Sequence, residues 1–181
     1  SHSIPHILLG SPLLHRFLRF PRYVVLVRDI RAALVSHYEK SKGTYKVSFS
    51  EFLYGDRSGK KYAVDIWWFI RFMNRWGAVH KSLDGQVLVV KYEDLLVDAG
   101  NVLNSIFRYF EVDIDRRIID DAVSESSKEK MLSKVSKEHW HQGVVRMDTR
   151  DPLEWYANSD LEFFVKTMRM NARYTFGYKY I

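Results

Sequence analysis

Two short runs of consecutive apolar, mostly β-branched residues are the clearest pattern along the chain. They occupy residues 23–28 (YVVLVR) and 86–92 (QVLVVKY). Continuous apolar runs of this length, without alternation of polar and apolar positions, are typical of central strands that helices cover on both faces. Both runs are therefore predicted to be buried parallel strands.

The residues between the two runs have the spacing of helices. One predicted helix covers residues 29–42, and a longer one covers residues 61–83, where Ile66, Ile70 and Met73 recur at helical intervals. A strand followed by helices and a second strand forms the crossover that joins parallel strands. The pattern therefore predicts an α/β fold with a parallel sheet.

The C-terminal half is predicted to be rich in helices, at residues 97–110, 115–124, 128–136 and 158–174. A long loop is predicted for residues 138–156, and long loops inside compact domains often bind or cover ligands. Two strands are fewer than the roughly five that are common in such sheets. We therefore expect an incomplete sheet, and the start at Ser1, without methionine, fits a fragment or a processed chain.

Composition indicates one globular domain spanning residues 1–181, with 46% hydrophobic and 28% charged residues. The sequence has neither an apolar run long enough for a transmembrane segment nor a signal-peptide pattern, so we expect a soluble domain and favour a cytoplasmic location. With no cysteine in the chain, disulfides and cysteine nucleophiles are excluded. The chemistry then falls to histidine, lysine, arginine, carboxylate or hydroxyl groups.

The formal charge of +6 suits an anionic ligand. The basic residues are scattered among acidic ones and form no block of the kind that marks a nucleic-acid-binding tail. We therefore predict a local anion site and no nucleic-acid partner.

Arg28 and Ser36 are the best candidates for that anion site. Arg28 ends the first predicted strand, and Ser36 lies two turns into the helix that follows. Open α/β sheets bind ligands at the carboxyl edge of their strands, where an arginine fork and free helix N–H groups suit a phosphate. Without further context, Arg28 could equally form an ion pair at the end of the strand, and Ser36 could equally be a polar residue on the helix surface.

Three motifs favour the phosphate site, because they occur along the chain in the same order as in one protein family. Residues 28–38 (RDIRAALVSHY) resemble the Arg-Asn-Pro-x-Asp-x-x-x-Ser-x-Tyr signature of sulfotransferases that use 3′-phosphoadenosine 5′-phosphosulfate (PAPS). Residues 92–95 (YEDL) match that family's Tyr-Glu-Asp-Leu motif, and residues 126–131 (SSKEKM) are similar to its Thr/Ser-Ser-Phe-x-x-Met segment. The resemblance spans roughly residues 1–178.

The resemblance implies a P-loop-like three-layer α/β fold and transfer of a sulfuryl group from PAPS to a hydroxyl or amine acceptor. It implies 3′,5′-adenosine diphosphate as the product and no metal. By position, Arg28 and Ser36 would bind the 3′-phosphate, Tyr92 would contact the adenine, and Ser126 would lie beside the base. We expect Asp94 to serve only as a cap or turn acceptor for the next helix.

Further roles follow from the resemblance at less closely matched positions. Ser1-His2 is similar to the end of the family's Lys-Thr/Ser-His segment, whose histidine deprotonates the acceptor, although a terminal histidine can also come from a cloning tag. The family has an Arg-Lys-Gly segment that also contacts the 3′-phosphate, and here residues 141–143 (HQG), ending in Gly143, occupy the equivalent place. Arg146, preferred over Arg150, could supply the missing charge there.

The family's Pro-Lys-Ser-Gly-Thr-Thr-type loop, which holds the 5′-phosphosulfate, is absent from the sequence. Residues 55–60 (GDRSGK) contain glycine and lysine but follow no predicted strand, so we predict a surface turn there. We therefore expect this chain alone to transfer sulfate poorly. The alternatives are a degenerate nucleotide-binding or interaction domain and a nucleotide kinase of similar architecture.

The acceptor remains open among small molecules, saccharides and peptides. The predicted helix at residues 61–83 carries five large aromatic residues that could line an acceptor pocket, although such a stripe is more often core. They are Trp67, Trp68, Phe69, Phe72 and Trp76.

Overall fold

The computed structural model describes residues 3–127, residue 130 and residues 150–180. The helices are α1 (Pro12–His15), α2 (Ile30–Tyr45), α3 (Phe49–Tyr54), α4 (Ile66–Ser82), α5 (Tyr92–Tyr109), α6 (Arg116–Glu125) and α7 (Asn158–Asn171), and the strands are β1 (Tyr23–Val27) and β2 (Val87–Lys91). Short 3₁₀ turns occupy Ile7–Gly10 and Pro152–Trp155. None of the described helices is long and apolar enough to cross a membrane. Apart from residue 130, the helix predicted for residues 128–136 lies outside the described residues, as does most of the loop predicted for residues 138–156.

The two predicted strands pair in parallel, in a register that runs from Tyr23 opposite Val87 to Val27 opposite Lys91. This confirms the α/β class and the parallel sheet, which is small, with two strands among the described residues. Because the strands are parallel and in register, their carboxyl ends lie side by side. The residues that follow Val27 and Lys91 therefore meet at one edge of the sheet.

Side-chain caps set where the crossover helices begin. Asp29 Oδ1 accepts from the backbone N–H of Arg31 at 2.8 Å and caps α2. Asp65, which is 1% exposed, accepts from the N–H of Trp68 at 2.8 Å and caps α4. These bonds satisfy N–H groups that lack partners inside their helices. Helix α3 was not predicted, since its six residues are too few to show a helical repeat.

Phe52 of α3 lies at the centre of the aromatic part of the core and is fully buried. Its ring stacks on Tyr45 at a centroid distance of 5.7 Å and on His37 at 5.9 Å, and it meets the edge of Tyr62 at 5.3 Å. Stacked and edge-on ring pairs of this kind stabilise beyond the area they bury. Phe52 therefore fixes α3 against the face of α2 that carries His37.

Helix α5 begins at Tyr92, directly after β2, which is five residues earlier than predicted. The helix has a kink at Asp98, where φ is −151° and ψ is 75°. Asp98 Oδ1 accepts from the N–H of Asn101 at 3.0 Å, so Asp98 takes the capping role expected of Asp94, which lies in the first turn. The early start places Tyr92 and Glu93 at the carboxyl edge of the sheet.

The segment after α7 packs along α4 and returns to the sheet. Asn74 of α4 fixes its start, because the Asn74 amide donates to the carbonyl of Asn171 at 2.8 Å and accepts from the N–H of Arg173 at 2.7 Å. Tyr174 then packs directly against Gly77. The helix predicted to reach residue 174 therefore ends at Asn171.

Candidate functional site

A cavity of about 680 Å³ runs along β1 from Val24 to Val27 and reaches Arg28 and Tyr92 at the carboxyl edge of the sheet. It is lined by residues of β1, α2 and α4 and by the first residue of α5. The lining residues whose chemistry matters below are Arg28, Ser36, His37, Lys40, Ser41, Trp68, Phe69, Phe72, Trp76 and Tyr92. The end of the cavity at Arg28 and Tyr92 lies at the edge where open α/β sheets bind their ligands.

Arg28 reaches the cavity from the residue directly after β1, and it is half-buried. Its guanidinium carbon lies 4.5 Å from the centre of the Tyr92 ring, which is the geometry of a cation–π contact. Among the described residues, no side chain or carbonyl accepts a hydrogen bond from this guanidinium. The ring therefore orients the guanidinium while leaving its N–H groups available to an anion.

Ser36 and Lys40 extend the polar side of the cavity along α2. They are four residues apart, so their side chains lie one turn apart on the same helix face. Among the described lining residues there are two permanent cations, Arg28 and Lys40, and no carboxylate. The electrostatic balance of the cavity therefore favours a negatively charged ligand.

The two carboxylates nearest in sequence to Arg28 and Tyr92 are engaged elsewhere. Asp29 pairs with Arg31 through two bonds, at 2.6 and 3.1 Å, and this hydrogen bonding raises the pKa of Arg31 against the opposing effect of burial. Glu93 accepts from the backbone N–H of Asp29 at 3.1 Å and from the hydroxyl of Tyr178. Neither acid therefore neutralises Arg28.

One face of α4 forms an aromatic wall of the cavity. Trp68 and Phe72 stack at a centroid distance of 5.2 Å and an angle of 18°, and Phe69 and Trp76 continue the wall. Trp67 points away from it, since its Nε1–H donates to the carbonyl of Tyr54 at 3.0 Å. Four of the five aromatic residues of this helix thus face the cavity.

The structure brings together three of the residues that the sequence selected, because Arg28, Ser36 and Tyr92 line the same cavity. Ser126 directly follows α6 and caps its end, since its N–H donates to the carbonyl of Ala122 at 3.0 Å, and it is not among the described residues that line the cavity. The remaining selected residues, His2, Gly143 and Arg146, lie outside the described residues.

Sequence reasoning missed Lys40 and undervalued Glu93. The signal for Lys40 was its spacing of one helical turn from Ser36, which predicts a shared face. The signal for Glu93 was its place beside Tyr92 at the end of a predicted strand. Its two hydrogen-bond partners, at Asp29 and Tyr178, are too distant in sequence to be predicted from local patterns.

Residues 55–60 form an exposed turn, as predicted. The carboxylate of Asp56 accepts from the backbone N–H groups of Ser58, Lys60 and Lys61 at 2.8–2.9 Å and from the hydroxyl of Ser58. These bonds, that of the Ser58 hydroxyl first, lower the pKa of Asp56 below its ordinary value. Because the amides of the turn are already occupied by its own carboxylate, the turn cannot serve as a phosphate-binding loop in this conformation.

No group of three or more histidine, aspartate or glutamate side chains suited to a metal ion occurs among residues 3–127 and 150–180.

A family model described as "Sulfotransferase domain" matches residues 6–153, well over half of the chain. The matched region contains all the described residues that line the cavity. No curated protein and no solved structure shows significant similarity to the chain.

Proposed function

Because the chain belongs to the sulfotransferase domain family, whose members are transferases that generally use PAPS, we propose that the cavity beside β1 binds the adenosine 3′-phosphate end of PAPS. The observation that carries the proposal is the guanidinium of Arg28, which has no hydrogen-bond partner among the described residues and faces a cavity whose described lining contains no carboxylate. A 3′-phosphate is a compact dianion that matches such a site.

Each proposed contact has a distinct role. The planar fork of Arg28 suits two parallel hydrogen bonds to phosphate oxygens, and the hydroxyl of Ser36 can donate a third. Tyr92 holds the guanidinium and offers an aromatic ring beside it for the adenine. PAPS, when bound, supplies the sulfuryl group that passes to a hydroxyl or amine. The roles of His2, Ser126, Gly143 and Arg146 stay predictions.

Replacing Arg28 with alanine is expected to weaken binding of 3′,5′-adenosine diphosphate by about 2 kcal/mol, or roughly 30-fold, because a charge-assisted phosphate contact is lost. Binding of 5′-AMP, which lacks the 3′-phosphate, should change little. Isothermal titration calorimetry with both nucleotides measures the difference.

Lys81→Ala is the matched control, since it removes one positive charge from an exposed position of α4 outside the cavity. It should leave both affinities nearly unchanged. Equal affinity of the unmodified protein for the two nucleotides would contradict the 3′-phosphate site and favour a kinase-like or interaction domain. Selective binding without sulfuryl transfer would favour a degenerate nucleotide-binding domain.

We also assign the aromatic wall of α4 to the acceptor. Trp68 and Phe72 present flat apolar surfaces in the same cavity as Arg28, so an acceptor with a planar or apolar face suits this side. A small phenol fulfils this condition and carries the hydroxyl that the reaction requires.

Trp68→Ala is expected to weaken binding of such a phenol by about 1 kcal/mol, roughly fivefold, because one stacking surface is removed. Affinity for 3′,5′-adenosine diphosphate should stay the same. Trp67→Ala is the control, since the neighbouring Trp67 is directed to the Tyr54 carbonyl and away from the cavity. Calorimetry with the protein saturated by the nucleotide compares the two variants, and an equal effect of both would argue against the assignment.

A further inference from the structure

The turn that carries Arg28 is held by side chains from distant parts of the chain. Its next two backbone N–H groups, those of Asp29 and Ile30, lie at the start of α2, where helix N–H groups lack partners within the helix. The N–H of Asp29 donates to Glu93 Oε1 at 3.1 Å, and the N–H of Ile30 donates to the hydroxyl oxygen of Tyr180 at 3.2 Å. The direction in which Arg28 leaves the strand thus depends on α5 and the C-terminal segment.

Glu93 connects these two parts of the chain. Its second carboxylate oxygen accepts from the hydroxyl of Tyr178, and burial together with this bond raises the pKa of Tyr178, so the hydroxyl remains a donor. No described lysine or arginine forms an ion pair with Glu93. Its charge is instead stabilised by one amide and one phenol, although Arg28 stacks on the ring of the adjacent residue, Tyr92.

We propose that Glu93 and Tyr178 act as positioning residues for Arg28, a role that rests on the proposed 3′-phosphate site. Glu93 fixes the peptide between Arg28 and Asp29 by accepting from its N–H. Tyr178 holds the Glu93 carboxylate in the orientation that makes this bond and keeps the carboxylate from turning to pair with Arg28. The pair therefore orients the guanidinium and keeps it available for the phosphate. We name this pair the Glu93–Tyr178 clamp.

The clamp can be tested in the free protein by hydrogen exchange at the Asp29 amide, followed by NMR. Glu93→Ala removes the acceptor and should accelerate exchange of this amide about tenfold. Glu93→Gln keeps an oxygen acceptor of the same size and should restore most of the protection. Tyr178→Phe should give an intermediate effect, because the carboxylate remains but loses its second partner.

The effect on the site is measured as the ratio of affinities for 3′,5′-adenosine diphosphate and 5′-AMP, by calorimetry on the same variants. The ratio should fall about tenfold in Glu93→Ala, because its Arg28 is poorly placed, and recover in Glu93→Gln. Asn74→Ala is the matched control, since Asn74 anchors the start of the C-terminal segment rather than its end. It should lower the melting temperature without changing the ratio.

The outcomes separate the clamp from the proposed function. If the unmodified protein does not distinguish the two nucleotides, the proposed function is wrong, and exchange of the Asp29 amide alone decides whether the clamp exists. Unchanged exchange in Glu93→Ala overturns the clamp, as does an equal fall of the affinity ratio in Asn74→Ala. If Glu93→Ala does not fold, Tyr178→Phe provides both measurements, and an unchanged Asp29 amide in that variant overturns the role of Tyr178.

Discussion

Replacing Phe52 with alanine is expected to lower the free energy of unfolding by about 3–5 kcal/mol, because it removes a fully buried aromatic ring and leaves a cavity behind. The ring is in contact with His37 and Tyr45 of α2 and with Tyr62 of the segment before α4. These neighbours cannot all move into the space, since each is fixed by its own packing. The loss should therefore approach the upper part of this range.

Urea denaturation followed by circular dichroism measures the effect. Phe17→Ala makes the same chemical change at a side chain that is 78% exposed, and it should alter stability by less than about 0.5 kcal/mol. A loss below about 1 kcal/mol in Phe52→Ala would show that Phe52 is not central to the core. Because Phe52 packs beside the part of α2 that holds Ser36, the variant should also bind 3′,5′-adenosine diphosphate less tightly.

Gly77→Ala is expected to destabilise the protein by about 3 kcal/mol, at the upper end of the usual range for overpacking. A Cβ atom at this position would lie 2.1 Å from Cγ of Tyr174 and 2.4 Å from its Cβ. These are atoms near the backbone, so a rotation of the tyrosine side chain cannot relieve the overlap. The C-terminal segment would have to move away from α4.

Gly43→Ala is the control for this prediction, and its expected effect on stability has the opposite sign. Gly43 also lies in a helix, but a Cβ there meets nothing within 4 Å, so alanine should stabilise by about 0.5–1 kcal/mol through its better helix propensity. In a double-mutant cycle, most of the effect of Gly77→Ala should disappear when Tyr174 is replaced by glycine, because glycine removes both the Cγ and the Cβ atom of the overlap. Thermal denaturation of all four proteins measures the coupling, and an undiminished loss in the double variant would assign the strain to another contact.

The sequence was sufficient to predict how the site residues converge. Arg28 and Tyr92 follow two apolar runs and lie in motifs that the family resemblance places around one ligand, and the carboxyl ends of paired parallel strands meet at one edge, so their proximity was predicted from the strands and the motifs together. Ser36 followed from the helical repeat after Arg28. These predictions depend on short-range periodicity and on the right-handed crossover between parallel strands, which are general properties of polypeptides.

The rest of the site depends on contacts that local patterns do not contain. Trp67 and Trp68 are chemically identical neighbours, and only the rotation of α4, set by packing, directs one to the Tyr54 carbonyl and the other to the cavity. Glu93 and Tyr178 are separated by 85 residues, and no periodicity links positions that far apart. Side-chain orientation and long-range hydrogen bonds are therefore visible only in the folded chain.

The hydrogen bond between Ile30 and Tyr180 joins residues that are 150 positions apart. This separation determines when the turn that follows Arg28 can form all of its hydrogen bonds during synthesis. At about 5–20 residues per second, a ribosome needs roughly 8–30 seconds after Ile30 to produce Tyr180. Helix α2 can form within microseconds of leaving the ribosome. Until Tyr178 and Tyr180 arrive, however, the hydroxyls that complete the turn do not yet exist. The nascent chain can therefore form α2 long before Arg28 is held in place, and the anion site is among the last features to form.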